Sequence, residues 1–167
     1  MDPELVAAER RRSINLETMA PFGDVSGVTF VSLQKGEPGA QRGNPPRGMA
    51  LHDFTADLHD FEDTAALIDG LDLVISVDTS VAHLAGALGK PVWLLNRFDT
   101  CWRWLLNRDD SPWSPRLRQF RQTGPCDRSS VICAAHDALQ RLAGGNRDQL
   151  LPHDQPLPQE VFRERPV

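Results

Sequence analysis

A short polar run, Asp78-Thr79-Ser80, separates an apolar segment from a segment of small residues that contains His83. A hydroxyl group at the start of a helix can accept a hydrogen bond from an early backbone N–H group. The first-turn N–H groups and the helix dipole also attract anions, and a nearby imidazole can donate to a phosphate or a sugar hydroxyl. The spacing therefore predicts an anion site at these four residues, with Thr79 or Ser80 as the cap. The alternative is a plain helix cap, with His83 as a hydrogen-bonded polar group of the core.

A second polar cluster, Ser32–Gly36, follows another apolar segment. Lys35 can meet a diphosphate as a point charge, and Gln34 offers both a donor and an acceptor. The alternative is a solvated loop lysine. Neither GxGxxG nor GxxxxGK[ST] occurs, so the sequence carries no dinucleotide fingerprint and no P-loop.

Three tryptophans lie close together at positions 102, 104 and 113, and Arg103 lies between the first two. Aromatic rings can stack on a base or a sugar, which makes Trp102 and Arg103 candidate contacts in a cleft. They can equally cover the edge of a core, and we expect that role for at least two of the three tryptophans. His52 and Asp53 are expected in an ordinary exposed loop.

Apolar and amphipathic segments alternate along the chain, which is typical of an α/β fold. Strands are predicted over Val28–Leu33, Met49–Leu51, Leu71–Val77, Pro91–Leu95 and Leu117–Gln122, the last at a sheet edge, and helices over Asp60–Ile68, Ser80–Leu88 and Ser129–Leu142. The expected fold is a single Rossmann-like domain over 13–145, with a doubly wound, mainly parallel sheet. Residues 1–12 are a flanking segment, and the proline-rich residues 146–167 are expected to be disordered. Ligands bind such sheets at the carboxyl ends of the strands, where the three polar and aromatic clusters fall.

Composition narrows the class of protein. The chain has 167 residues and a formal net charge of −5, which argues against nucleic acid as the main partner. No apolar run reaches the ~20 residues that span a bilayer, and the charged N-terminus has no apolar signal region. The three cysteines indicate free thiols in a reducing compartment, so a cytoplasmic location is expected. No HExxH motif or cysteine pair predicts a metal.

The stretch DLVISVDTSVAHLAGALGKPVWLL resembles the C-terminal domain of bacterial glycosyltransferases, as do FVSLQKG, WRWLLNRDDSPW and LRQFRQ. These are tetratricopeptide-linked enzymes related to the ADP-heptose:lipopolysaccharide heptosyltransferases, and they are distantly similar to O-linked N-acetylglucosamine transferases. The resemblance covers the chain from Ser13 to Leu142. It implies half of a GT-B fold, in which two Rossmann-like domains face a cleft and the C-terminal domain holds the nucleotide-sugar donor.

The resemblance also implies roles for single residues. Asp78, Thr79, Ser80 and His83 match the motif that binds the donor diphosphate and sugar, and Lys35 matches the basic residue after the first strand. No cofactor and no metal is implied, because helix N-termini and basic side chains can stabilise the leaving diphosphate. The N-terminal domain often supplies the catalytic base, so no catalytic residue is assigned. The loop NRFDTC departs from the glycine- or proline-bearing loop usual in the family.

The leading hypothesis is therefore the donor-binding half of a glycosyltransferase, completed by an N-terminal domain or a partner protein and inactive alone. The sequence contains no N-terminal Rossmann domain and no tetratricopeptide repeat. A non-catalytic nucleotide-binding or protein-interaction module is the alternative, and an uncovered cleft face would favour a homo-oligomer. A receiver-like or flavodoxin-like domain fits the alternation of elements but lacks the acidic cluster or the flavin loop.

Overall fold

Parallel strands form the centre of the molecule in the computed structural model, which describes residues 11–152. Within that range the strands are β1 (Phe30–Ser32), β2 (Leu51–Asp53), β3 (Val74–Ser76), β4 (Val92–Asn96) and β5 (Leu117–Arg121). β1 pairs with β2, and β3, β4 and β5 lie side by side in that order, with every pair parallel. The five predicted strands are thus present, although β1 and β2 begin two residues later than expected, β3 begins three residues later, and the strands divide between two sheets. The expectation that His52 and Asp53 lie in a loop was wrong, because both belong to β2.

The central strand, β4, shows why its sequence is an uninterrupted apolar run. All five of its residues are buried. Trp93 and Leu95 join one apolar cluster, whereas Val92 and Leu94 join another on the opposite face. A strand that is covered on both faces has no position for an exposed polar side chain. This arrangement confirms the predicted doubly wound, mainly parallel α/β fold.

Three α-helices cover the three-stranded sheet in the described part of the chain: α1 (Phe61–Asp69), α2 (Ser80–Ala87) and α3 (Arg128–Ala143). The buried residues of α3 join the cluster that contains Trp93. Buried residues of α1 and α2 join the cluster that contains Val92. Helices on both faces of one parallel sheet bury each face separately, as the alternation of elements predicts.

The ends of the helices follow from the residues that flank them. The Asp60 side chain accepts hydrogen bonds from the backbone N–H groups of Glu62 and Asp63, at 2.8 and 3.0 Å, at the start of α1. Asp127 caps α3 in the same way. Gly89 follows α2 with φ +70°, a left-handed conformation that favours glycine, as predicted for the end of that helix. The three helices agree with the sequence prediction within one residue at each end.

Strand β5 differs from its prediction in burial. It pairs with β4 alone among the described residues, so it is an edge strand as expected. Its polar residues Arg118 and Gln119 are nevertheless buried. Gln119 Nε2 donates to the backbone oxygens of Trp104 at 2.9 Å and Asp110 at 2.7 Å, because the segment after β4 folds over this edge. The alternation in LRQFRQ therefore does not mark a solvent-exposed face.

Short 3-10 helices connect these elements at Glu17–Asp24, Glu37–Gly43, Trp102–Trp104 and Arg147–Leu150. The last of these lies in the segment that the sequence predicts to be a disordered tail. Gln149 is buried there, and its backbone oxygen accepts hydrogen bonds from Trp93 Nε1 and Arg118 Nη1, both at 3.1 Å. These bonds satisfy polar groups of β4 and β5, so packed structure extends beyond residue 145.

The predicted flanking segment, 1–12, and the predicted tail, 146–167, fall largely outside the described residues. Of these two segments, only residues 11–12 and 146–152 are described. In the described part of the chain, no helix combines the length and the apolar character that a bilayer crossing requires.

Candidate functional site

The candidate site lies where β3 ends and α2 begins. Asp78 and Thr79 form the turn between the two elements, and Thr79 is the N-cap residue, with an extended backbone at φ −136° and ψ 171°. Leu33, just after β1, packs against the apolar cluster that contains Val74 and Ala82. The carboxyl ends of β1 and β3 therefore lie at the same edge of the molecule, where open α/β folds bind ligands.

The start of α2 differs from the starts of α1 and α3. The sequence predicts that Thr79 or Ser80 caps α2, but neither hydroxyl does so. No described side chain caps this helix, and the Thr79 hydroxyl instead lies 3.1 Å from the Ser76 hydroxyl. Ser76 in turn donates to the backbone oxygen of Val77. The first turn of α2 also contains no acidic residue. Its Ala82 N–H donates to the Thr79 oxygen at 3.1 Å, whereas no hydrogen bond among the described residues occupies the N–H groups of Ser80 and Val81, which can therefore meet an anion.

Asp78 and His83 form a pair across this turn. His83 Nε2 lies 3.4 Å from Asp78 Oδ1, and the Asp78 side chain is only 18% exposed, against 46% for His83. The Cys101 thiol approaches the other carboxylate oxygen at 3.6 Å. With Nε2 directed to Asp78, Nδ1 is the ring nitrogen that remains for a ligand. Asp78 thus orients the imidazole, and His83 is the more accessible of the two.

Arg12 adds a cation that the sequence interpretation missed. Its Nη1 donates to the Asp78 backbone oxygen at 3.0 Å, although the two residues are far apart in sequence. The sequence prediction assigns residues 1–12 to a flanking segment outside the domain. The basic run Arg10-Arg11-Arg12 carries no local signal that would place Arg12 at the end of β3.

Lys35 and Gln34 lie in the exposed loop after β1. Gln34 Nε2 donates to the backbone oxygen of Lys35 at 3.1 Å, and Arg42 Nη1 donates to the backbone oxygen of Gln34 at 3.3 Å. Among the described residues, no contact joins either side chain to Asp78 or His83. The structure thus brings the ends of β1 and β3 to one edge without placing Lys35 against the anion site.

The three clustered tryptophans have different environments. Trp104 is buried at 2% exposure, and its ring stacks on His83 with centroids 5.2 Å apart. Trp102 and Trp113 are 71% and 65% exposed. Our expectation that at least two of the three cover the core was wrong, because only Trp104 does so. The segment after β4 turns its first and last tryptophans away from the sheet.

A pocket of about 130 Å³ opens beside His83 and continues the site. Its lining residues come from α2 and from the segment after β4, and they are His83, Trp102, Arg103, Trp104, Trp113 and Ser114. Trp102 and Arg103 therefore share a surface with His83, and their role as donor or cleft contacts stays a prediction, whereas Ser114 was not among the residues that the sequence singled out. Neither the residue type of Ser114 nor its spacing from His83 indicates that it lines this pocket.

Two charged groups of this region have shifted pKa values. The Arg108 guanidinium, in an ion pair with Asp110, holds the pKa of that carboxyl group below its usual range. Burial lowers the pKa of Arg121, which donates to the backbone oxygens of Trp104 and Leu105. Both groups secure the segment that carries the exposed tryptophans. Within the described residues, no three or more His, Cys, Asp or Glu side chains are grouped as a metal site requires.

Comparison with known proteins found one family model that matches part of the chain. Residues 58–132 match the family model of glycosyltransferase family 9 (heptosyltransferase). No curated protein and no solved structure matches the chain. The matched segment runs from just before α1 into α3, and it contains Asp78, His83 and the tryptophan segment. This match supports a GT-B glycosyltransferase-like domain.

Proposed function

We propose that this chain is the donor-binding half of a GT-B glycosyltransferase. The observation that carries the proposal is the uncapped start of α2 beside Asp78 and His83, inside the segment that matches glycosyltransferase family 9. The substrate class is a nucleoside diphosphate sugar, and the acceptor is a hydroxyl group. The match supports glycosyl transfer at the level of the family, and the residue roles below are our proposal.

The diphosphate is the part of the donor that the start of α2 suits best. Helix N-termini attract phosphates through their open N–H groups and their dipole. The Arg12 guanidinium lies at the Asp78 carbonyl and adds positive charge at the same place. Lys35, on the exposed loop after β1, is the second cation that we assign to the diphosphate. Electrostatic stabilisation of this kind acts on the leaving diphosphate as negative charge develops on it.

His83 and Asp78 orient the donor in this proposal. We assign His83 Nδ1 to the ligand, because Nε2 is directed to Asp78. The acceptor oxygen attacks the anomeric carbon, and the bond from that carbon to the diphosphate oxygen breaks. The nucleoside diphosphate leaves with the bonding electrons. The acceptor hydroxyl loses its proton to a base that we assign to the facing domain or to a partner protein, so this half binds the donor but does not complete the transfer alone.

Three further expectations stay predictions from the sequence. They are a cytoplasmic location, an association with tetratricopeptide repeats, and the absence of a metal or cofactor from the reaction. A pure nucleotide-binding or protein-interaction module is the competing function, and it would share the anion site but not the transfer reaction.

Titration calorimetry with UDP-, GDP- and ADP-sugars tests the proposal. The wild-type protein is expected to bind at least one class, and Asp78→Ala and His83→Ala are expected to weaken that binding about tenfold or more, as loss of charge-assisted contacts does. His136→Ala, on the far helix α3, is the matched control for a histidine beside an aspartate, since His136 Nδ1 lies 3.4 Å from Asp137. If no nucleotide sugar binds, or if the two site variants bind as the wild type does, the donor site is refuted.

A further inference from the structure

The pocket beside His83 has a construction that the diphosphate site does not explain. Its outer wall, which we call the aromatic corner, consists of Trp102, Arg103, Trp113 and Ser114. Trp102 and Trp113 are among the most exposed large apolar side chains of the described residues. Exposed aromatic surface that lines a concave site is typical of ligand recognition rather than of folding.

The two exposed rings are fixed in position. Trp102 and Trp113 meet edge to face, with centroids 6.4 Å apart and planes at 83°. Trp113 Nε1 donates to the Arg103 backbone oxygen at 3.0 Å, and the Arg103 guanidinium lies 5.4 Å from the centre of the Trp102 ring. Edge-to-face and cation–π contacts both favour one arrangement of the rings. The aromatic corner is therefore preformed although it is exposed.

The backbone under the aromatic corner is held at an energetic cost. Leu105 has φ +50°, a conformation that bulky residues rarely adopt. Its carbonyl oxygen is held by Arg121 at 2.6 Å. Two buried donors of this region, Trp104 Nε1 and Arg121 Nη1, have no hydrogen-bond partner among the described residues. Strain and unpaired buried donors are retained more often at functional sites than elsewhere, so this segment has a role beyond packing.

We propose that the aromatic corner binds the glycosyl ring of the donor, with one face of the sugar packed on the indole rings. This inference rests on the proposed function, because it requires the diphosphate at the start of α2. His83 lies one turn into α2 and also lines the pocket, so the pocket adjoins the helix start that we assign to the diphosphate. The aromatic corner then selects among donors by their sugar.

The shape of the pocket favours a sugar over a nucleobase. Its volume of about 130 Å³ is well below the ~300–1,000 Å³ of pockets that enclose a whole small ligand, so it accommodates one ring of the donor. A base stacks best on a flat platform, whereas two rings at 83° offer a corner. A pyranose presents C–H bonds on its faces and hydroxyl groups at its rim. The indole rings can pack against the C–H bonds. Hydrogen bonds to the hydroxyl groups can come from Arg103, Ser114 and His83, which also line the pocket.

The test compares each nucleoside diphosphate with its sugar conjugate by calorimetry. The pairs are UDP with UDP-N-acetylglucosamine, GDP with GDP-mannose, and ADP with an ADP-heptose. Trp102→Ala and Trp113→Ala are expected to weaken binding of the preferred conjugate about tenfold while binding of the free diphosphate stays unchanged. Phe61→Ala is the matched control, because Phe61 is 63% exposed on α1 and does not line the pocket.

A second measurement does not depend on the diphosphate. The indole N–H signals of the four tryptophans can be assigned by single Trp→Phe variants in NMR spectra, and methyl glycosides of the same sugars can then be titrated. The Trp102 and Trp113 signals are expected to shift, with that of Trp93 unchanged because its ring is fully buried.

The outcomes separate the two proposals. If free diphosphates fail to bind the wild type, the proposed function falls. If they bind, and the tryptophan variants weaken both members of a pair equally or neither of them, the sugar assignment alone is wrong. Indole shifts caused by free nucleosides but not by methyl glycosides would assign the aromatic corner to the base instead and overturn the inference.

Discussion

Thr79 is the N-cap residue of α2, but its hydroxyl lies against the Ser76 hydroxyl and accepts no hydrogen bond from the helix. Asp60 and Asp127 are the N-cap residues of α1 and α3, and the side chain of each does accept from backbone N–H groups of its own helix. The first turn of α2 is consequently the one among these three helices that keeps its N–H groups for another partner. At the scale of single residues, this orientation of one hydroxyl is what supports an anion site.

The Arg12 guanidinium is expected to contribute to that site. Replacing it in Arg12→Ala removes a cation at the Asp78 carbonyl, so affinity for a nucleoside diphosphate should fall about tenfold at low ionic strength. Salt should narrow the difference, because screening weakens interactions of exposed charges. Calorimetry at two salt concentrations measures both effects.

Arg11→Ala is the control for this prediction. Arg11 is the adjacent residue and has the same charge, but its Nε lies 3.3 Å from the exposed Asp99 carboxylate. Its removal should leave affinity unchanged. Equal losses in the two variants would mean that Arg12 acts through net charge alone.

Asp110 is expected to make stability depend on pH in the acid range. Its ion pair with Arg108 lowers the pKa of the carboxyl group in the folded state below the ~3.9 of an unfolded chain. Above about pH 5 the carboxyl group is ionised in both states, and its stabilising contribution is complete. As the pH falls further, the unfolded chain takes up the proton first, and that contribution is lost.

Urea unfolding at a series of pH values measures this loss. Between about pH 5 and pH 2 the free energy of unfolding should fall less in Asp110→Asn than in the wild type. Asp57→Asn, which alters an exposed carboxyl group, should follow the wild-type curve. A curve for Asp110→Asn that parallels the wild type at every pH would contradict the assigned ion pair.

At the scale of elements, the segment between β4 and β5 forms most of the pocket beside His83. Gln119 and Arg121 of β5 donate hydrogen bonds to backbone oxygens of this segment. Gly86 of α2 has no side chain, which allows Ser114 to lie close to the helix. A Cβ atom at Gly86 would lie 2.4 Å from Ser114 Oγ, which is closer than any normal contact. The close approach positions the neighbouring Trp113 beside His83.

A double-mutant cycle tests this close approach. Alanine has a higher helix propensity than glycine by roughly 1 kcal/mol, but overpacking against Ser114 costs about 1–3 kcal/mol. Gly86→Ala should therefore be less favourable in the wild type than in a Ser114→Ala background, with a coupling of about 1 kcal/mol measured by urea unfolding. A coupling within experimental error of zero would show that Gly86 and Ser114 do not limit each other.

The sequence predicts the elements better than it predicts this segment. Strand β4 and the three α-helices carry strong local signals, which are a continuous apolar run, regular apolar spacing, and residues such as Asp60 and Gly89 at the ends. The candidate motif Asp78-Thr79-Ser80 with His83 can be recognised in the sequence for the same reason, since its residues are close in the chain. Arg12 and Ser114 come from distant positions, and the burial of Gln119 depends on a loop that folds over it. No local pattern encodes such contacts.

At the scale of the molecule, two apolar clusters pack on opposite faces of the sheet β3–β4–β5. The candidate site lies at the edge where the carboxyl end of β3 meets the start of α2. Leu33 joins the cluster under α2, so the carboxyl ends of β1 and β3 lie at one edge, although Lys35 makes no described contact with Asp78 or His83. The match over 58–132 supports a glycosyltransferase-like domain. The facing domain or partner protein that we propose would close the cleft from this side.

The most direct test of the donor site is to map nucleotide binding on the backbone. The ¹⁵N-labelled protein is titrated with UDP, GDP and ADP, and the amide signals are followed by NMR. The account predicts that one of the three shifts the amides of Ser80 and Val81 most, while those of Glu62 and Ser130, in the capped first turns of α1 and α3, stay in place. No shift with any of the three, or shifts that avoid the start of α2, would contradict it.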